Sequence, residues 1–172
     1  ASQEQRALLA LWRIGGLRRN EAFDVQWRDV DWHGGRLLVR SSKTASKGKD
    51  KRVIPLFPEL RQELEKLWEL TPEGGPLNVI TIERRRAPYL IEQIVFRAGL
   101  NRWQRLIQNL RSSRAIDVER EYGALAESEW LGHTAKVARA HYLHVLDVDF
   151  ERAASTKTTA KTTAQYSAIG RF

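Results

Sequence analysis

Apolar residues recur at helical spacing at the start of the chain. Leu8, Leu11 and Trp12 share one face over residues 3–13, and Gly15-Gly16 breaks the pattern. Asn20 is the expected N-cap of a short helix beginning at Glu21. The period then changes. Residues 36–42 (RLLVRSS) and 51–57 (KRVIPLF) read as two strands, joined by the polar KTASKGKD into a hairpin with a long basic loop. A short strand around Val25–Val30 is expected to complete a three-stranded antiparallel sheet. Pro58 opens a helix that places Leu60, Leu64, Leu67 and Trp68 on one face, and TPEGGP (71–76) is a turn. Residues 87–98 form another amphipathic helix, with Leu90, Ile91, Ile94 and Val95 inward and Gly99 as its cap. Further helices are expected near 104–120, 124–131, 135–143 and 147–154.

This order of helix, small hairpin sheet and then helices predicts an α+β fold, mainly α, rather than the βαβ alternation of a doubly wound sheet. Residues 1–154 read as one domain. The tail 155–172 is rich in Thr, Ala and Lys without clear periodicity, and is expected to be a flexible or protomer-docking segment.

Composition narrows the classes of function. At 172 residues and 42% hydrophobic, the chain can bury a core. No apolar run approaches the roughly 18 residues of a membrane span, and no N-terminal stretch has the form of a signal peptide. There is no Cys, and the four His lack HExxH-like spacing, so no protein-bound metal is expected. The net charge is +8, and from Arg36 to Arg52 seven Lys and Arg face one acid, Asp50. Acids gather elsewhere, at Glu59, Glu63, Glu65 and Glu69. Such segregation makes a basic face suited to a polyanion such as DNA. The chain contains no Met, even at position 1, so a longer parent protein is expected.

Four segments carry candidate chemistry. In GGLRRNE (15–21), an Arg ahead of a helix N-terminus can present a planar fork to a phosphate. In SSKT…KRVIPL (41–56), a Lys at a strand end beside a basic loop can reach a DNA backbone or a leaving group. In QNLRSSRAID (108–117), Leu110 and Ile116 suggest a buried face flanked by Arg111 and Arg114, and a half-buried Arg111 needs an anionic partner. In EWLGHTAKVARAHYLHV (129–145), Gly132 ends one helix, His133 sits at the junction, and Tyr142 lies near the end of the next helix.

In order and spacing these segments resemble the tyrosine recombinases of the phage-integrase type, whose chemistry type IB topoisomerases share. The family's GLRxSE box corresponds to Gly16-Leu17-Arg18-Arg19-Asn20-Glu21, and its hairpin lysine to Lys43. Its HxLRH box corresponds to Gln108-Asn109-Leu110-Arg111-Ser112, and its LGH…Y box to Leu131-Gly132-His133 with Tyr142. The resemblance runs from about residue 2 to residue 154. Its departures are Gln108 and Ser112, where the family has His. Gln can donate a hydrogen bond but cannot act as a general acid or base.

The resemblance implies a catalytic domain for site-specific DNA recombination or integration. Strand cleavage and rejoining would proceed without metal, ATP or any other cofactor, through a covalent 3′-phosphotyrosine. Tyr142 would be the nucleophile. Arg18 and Arg111 would clamp the non-bridging oxygens, with Arg19 the rival to Arg18. Lys43 would protonate the leaving 5′-oxygen, and Gln108 would support the phosphate. His133 would bond the phosphate or help deprotonate Tyr142, while His141 and His144 are taken as structural. Lys47, Lys49 and Lys51, with Arg84, Arg85 and Arg86, would contact the backbone of double-stranded DNA. The resemblance further implies a homotetramer on DNA, a monomer without it, and a cytoplasmic, nucleoid-associated location. It also implies an N-terminal DNA-clamping domain outside this stretch of sequence, and hence weak DNA binding by the stretch alone. The alternative suggested by Gln108 is a weakened or inactive DNA-binding relic. A third is a topoisomerase that relaxes supercoils without recombining.

Overall fold

The structure is a computed structural model that describes residues 1–41, 51–101 and 103–132. Helix α1 (Gln3–Arg13) starts at a reciprocal cap. Ser2 Oγ accepts from the Gln5 amide while the Gln5 side chain accepts from the Ser2 amide. Ala7, Leu8, Ala10, Leu11 and Trp12 of this helix are all buried, which is more than one stripe. The breadth follows from its neighbours, since α1 packs against α3 (Pro58–Glu69), α4 (Ala87–Arg97) and α5 (Leu106–Tyr122).

The sheet has three antiparallel strands in the order β1 (Val30–Asp31), β2 (Arg36–Arg40) and β3 (Lys51–Pro55). Leu37 pairs with Ile54 and Val39 with Arg52, so these four share the inner face. The antiparallel pairing of β2 and β3 is as expected, with each strand two residues shorter at its end, but the edge strand is shorter and later than the Val25–Val30 expectation. Residues Trp27–Asp29 form a 3₁₀ turn instead. The cause is Asp29, whose buried carboxylate accepts from the Gln26 amide at 3.0 Å and pairs with Arg40. Asn20 occupies the N-cap position of α2 (Glu21–Asp24) without a side-chain cap bond.

Pro58 stands at the first turn of α3 as its sequence predicts, and Leu60 and Leu64 are fully buried. Trp68 departs from that face. It is half exposed and stands edge-on to Trp27, with ring centroids 5.0 Å apart. In α4 only Ala87 and Ile91 are buried, while Leu90, Ile94 and Val95 are partly exposed. In α5 the buried positions are Arg111, Ala115 and Val118, one turn apart, rather than Leu110 and Ile116. Helix α6 (Ala124–Leu131) packs on α5 and β3 and ends at Gly132, in the left-handed region with φ 68°. No helix of the described residues is long and apolar enough to cross a membrane. Residues 42–50, with the basic loop expected there, the helices expected at 135–143 and 147–154 and the tail lie outside the described residues.

Candidate active site

The turn after α1 is built for close approach. A Cβ on Gly15 would meet the Leu11 carbonyl oxygen and Leu17 Cδ1, each at 2.9 Å. Gly16 adopts φ +64°, a region costly for other residues. With two glycines the chain reverses in one step. Leu17 enters the core, and Arg18 comes to lie against the far end of α6.

Arg18 donates through Nη1 to Glu21 Oε1 at 2.7 Å and to Ser41 Oγ at 3.4 Å, and through Nη2 to the Gly132 carbonyl at 3.0 Å. Arg111 reaches the same turn from α5. Its Nη1 donates to the Gly16 carbonyl and its Nη2 to the Leu131 carbonyl. Arg18 and Arg111 therefore hold adjacent carbonyls, and one peptide unit plus two hydrogen bonds keeps the guanidinium groups within about 10 Å. Arg111 is 5% exposed, deeper than the half-burial its sequence suggests. The Arg18 side chain is 24% exposed, and its Nε and second Nη2 hydrogen have no partner among the described residues.

Two residues without an assigned role in the sequence reading complete this cluster. Arg52 Nη1 and Nη2 donate to the two oxygens of Glu21 at 2.9 and 2.6 Å, and its Nε donates to the Trp130 carbonyl at 2.7 Å. Glu21 also accepts from the Arg18 amide at 2.7 Å. Burial pushes the Glu21 carboxyl up. The hydrogen bond and charge of Arg52, with those of Arg18, override it and hold the group at about 2. Among the described residues, the contacts of this cluster set three guanidiniums, Arg18, Arg52 and Arg111, around one carboxylate, Glu21. The signal for Arg52 was the period-2 pattern of β3. With Ile54 inward, Arg52 shares its face and must find an anion there.

The other expected residues divide as follows. Gln108 is exposed, one turn before Arg111 on α5, and its carbonyl accepts from Ser112 Oγ at 2.9 Å. Lys51 is exposed at the start of β3, opposite Arg40. Arg84 pairs with Asp24 and lies 5.6 Å above the Phe23 ring, whereas Arg85 and Arg86 are exposed ahead of α4. Lys43, Lys47, Lys49, His133 and Tyr142 lie outside the described residues. Ser41, beside Arg18, precedes Lys43 by two positions in the chain.

The model of the phage integrase family matches residues 1–148. The chain belongs to the phage integrase family. No curated protein matches it in sequence. Three solved structures share its fold. The XerA recombinase is 18% identical with a TM-score of 0.68, over 92% of this chain and 65% of that one. The XerH site-specific recombinase, in a pre-cleavage complex with its difH substrate, is 23% identical with a TM-score of 0.62, over 89% and 46%. The Tn1549 transposon integrase, in complex with circular intermediate DNA, is 12% identical with a TM-score of 0.63, over 88% and 57%. The chain thus spans less than two thirds of the length of each. The mainly helical architecture with a small three-stranded sheet, expected from the sequence, is the architecture of the described residues.

Proposed function

We propose that the chain is the catalytic domain of a site-specific DNA recombinase that cuts and rejoins strands through a covalent 3′-phosphotyrosine. The observation that carries this is the meeting of Arg18 and Arg111, 93 positions apart in the sequence, at one turn beside a basic hairpin. The XerH complexes with difH, before and after cleavage, and the Tn1549 integrase complex with its circular intermediate support DNA as the substrate.

In this mechanism Tyr142 attacks the phosphodiester, its oxygen bonds to phosphorus, and the 5′-oxygen leaves. A second strand's 5′-hydroxyl reverses the step, so the bond energy is kept in the tyrosyl link. Arg18 and Arg111 stabilise charge gathering on the non-bridging oxygens, each donor contributing about 100- to 1000-fold in rate. Lys43 protonates the leaving oxygen, Gln108 supports the phosphate, and His133 bonds it or assists deprotonation of Tyr142. Lys47, Lys49, Lys51 and Arg84 to Arg86 contact the backbone. Four copies assemble on DNA, and single copies remain without it.

The test is covalent capture. The protein is mixed with fragmented genomic DNA, trapped adducts are recovered in SDS, and the recovered site is rebuilt as a nicked duplex that prevents religation. Wild type should form the adduct, and Tyr142→Phe should not. An adduct in Tyr142→Phe would refute the nucleophile. DNA binding without any adduct in wild type would favour the inactive relic that Gln108 suggests, and plasmid relaxation without recombinants would favour a topoisomerase.

A further inference from the structure

Arg52 uses all three nitrogens of its guanidinium. Its side chain is 9% exposed, it meets both oxygens of Glu21 in a fork, and its remaining edge holds the Trp130 carbonyl. Glu21 in turn meets Arg18 twice, through the amide and through Nη1. The chain of contacts Trp130–Arg52–Glu21–Arg18–Gly132 is therefore a closed loop of hydrogen bonds anchored at both ends on the last turn of α6.

We propose that Arg52 is a positioning residue, which fixes Arg18 through Glu21 and leaves the Arg18 charge available to a bound phosphate. The proposal rests on Arg18 as a phosphate clamp. Without Arg52, the whole Glu21 charge would fall on Arg18 and draw its remaining donors away from a phosphate. A buried carboxylate facing one partner competes with substrate, whereas one shared between two guanidiniums leaves net positive charge at the exposed partner. Arginine is required because only a fork can take both carboxylate oxygens and still offer Nε to a carbonyl.

The test uses the full chain, a nicked trapping duplex, and separate measurements of DNA affinity and single-turnover cleavage. Arg52→Gln should slow cleavage by up to about 100-fold, with affinity held within about 3-fold. Arg52→Lys, which keeps the charge and loses the fork, should fall between the two and fold even where Arg52→Gln does not. Adding Glu21→Gln to Arg52→Gln should slow cleavage no further, because both act through one link. Wild-type cleavage in either Arg52 variant, losses of rate and affinity in equal proportion, or multiplying effects of the two Gln substitutions would each overturn the proposal. Carbon-13 NMR titration of Glu21 separates this from the recombinase assignment. The carboxyl should titrate at about 2 in wild type and higher in Arg52→Lys. That rise in a protein forming no adduct would refute the recombinase function and retain the clamp, and no rise would refute the clamp.

Discussion

Acid should weaken this fold through Glu21 in a way that one substitution isolates. The carboxyl has an ordinary value of 4.5 and is held at about 2 in the folded chain. Arg52 and Arg18 are the charged groups that face it. Because the folded value is depressed, the stabilisation is fully present above 4.5 and is lost as pH falls toward and through about 2. A tenfold change in the proton equilibrium is about 1.4 kcal/mol, so the whole displacement corresponds to about 3 kcal/mol. Proton linkage between these two values places about 2 kcal/mol of that loss above pH 3, where urea unfolding is still measurable. Glu21→Gln cannot titrate there, so the difference between the two proteins isolates this carboxyl. The stability difference between wild type and Glu21→Gln should therefore shift against wild type by about 2 kcal/mol from pH 6 to pH 3. Parallel curves over that range would refute the Glu21 clamp as a charged, buried pair.

Gly16→Ala should lower stability by about 1 to 2 kcal/mol, since the backbone stands at φ +64° and the new Cβ would lie 3.3 Å from Arg114 Cγ and Leu131 Cγ. A thermal midpoint equal to wild type would contradict the strained turn. Lys47→Ala and Lys49→Ala should each weaken DNA binding about equally across sequences and reduce the slope of log affinity against log salt by about one. An unchanged slope would remove that lysine from the phosphate-contacting set.

The hairpin and the helix starts were legible because each rests on local chemistry. Pro58 can only open a helix, Gly99 closes one with positive φ, and the alternation around Leu37, Val39 and Ile54 registers the sheet. Errors arose where a distant group overrode the local pattern. Val25–Val30 has the apolar character of a strand, but a buried Asp29 bound to Arg40 closes a turn inside it. In α5, Leu110 and Ile116 were the apolar markers, yet Arg111 holds the buried position because two carbonyls from elsewhere meet it. Family spacing pairs Arg18 with Arg111, while charge alone leaves Arg52 inside a basic run. In a run of cations, charge alone does not show which one turns inward; strand parity does.

The last turn of α6 explains why the site's parts are scattered along the sequence. A helix C-terminus presents carbonyls without intrahelical donors, at the negative end of its dipole. Here Trp130, Leu131 and Gly132 are satisfied in succession by Arg52 from β3, Arg111 from α5 and Arg18 from the turn after α1. Each contact spans a different sequence separation, so none forms until the sheet and three helices have packed. The same docking that satisfies the helix end also gathers three guanidiniums at one place, with Glu21 between two of them. Assembly of the cationic site and completion of the fold are thus one event, and a substitution that frees the α6 carbonyls should disperse the cations as well as destabilise the chain.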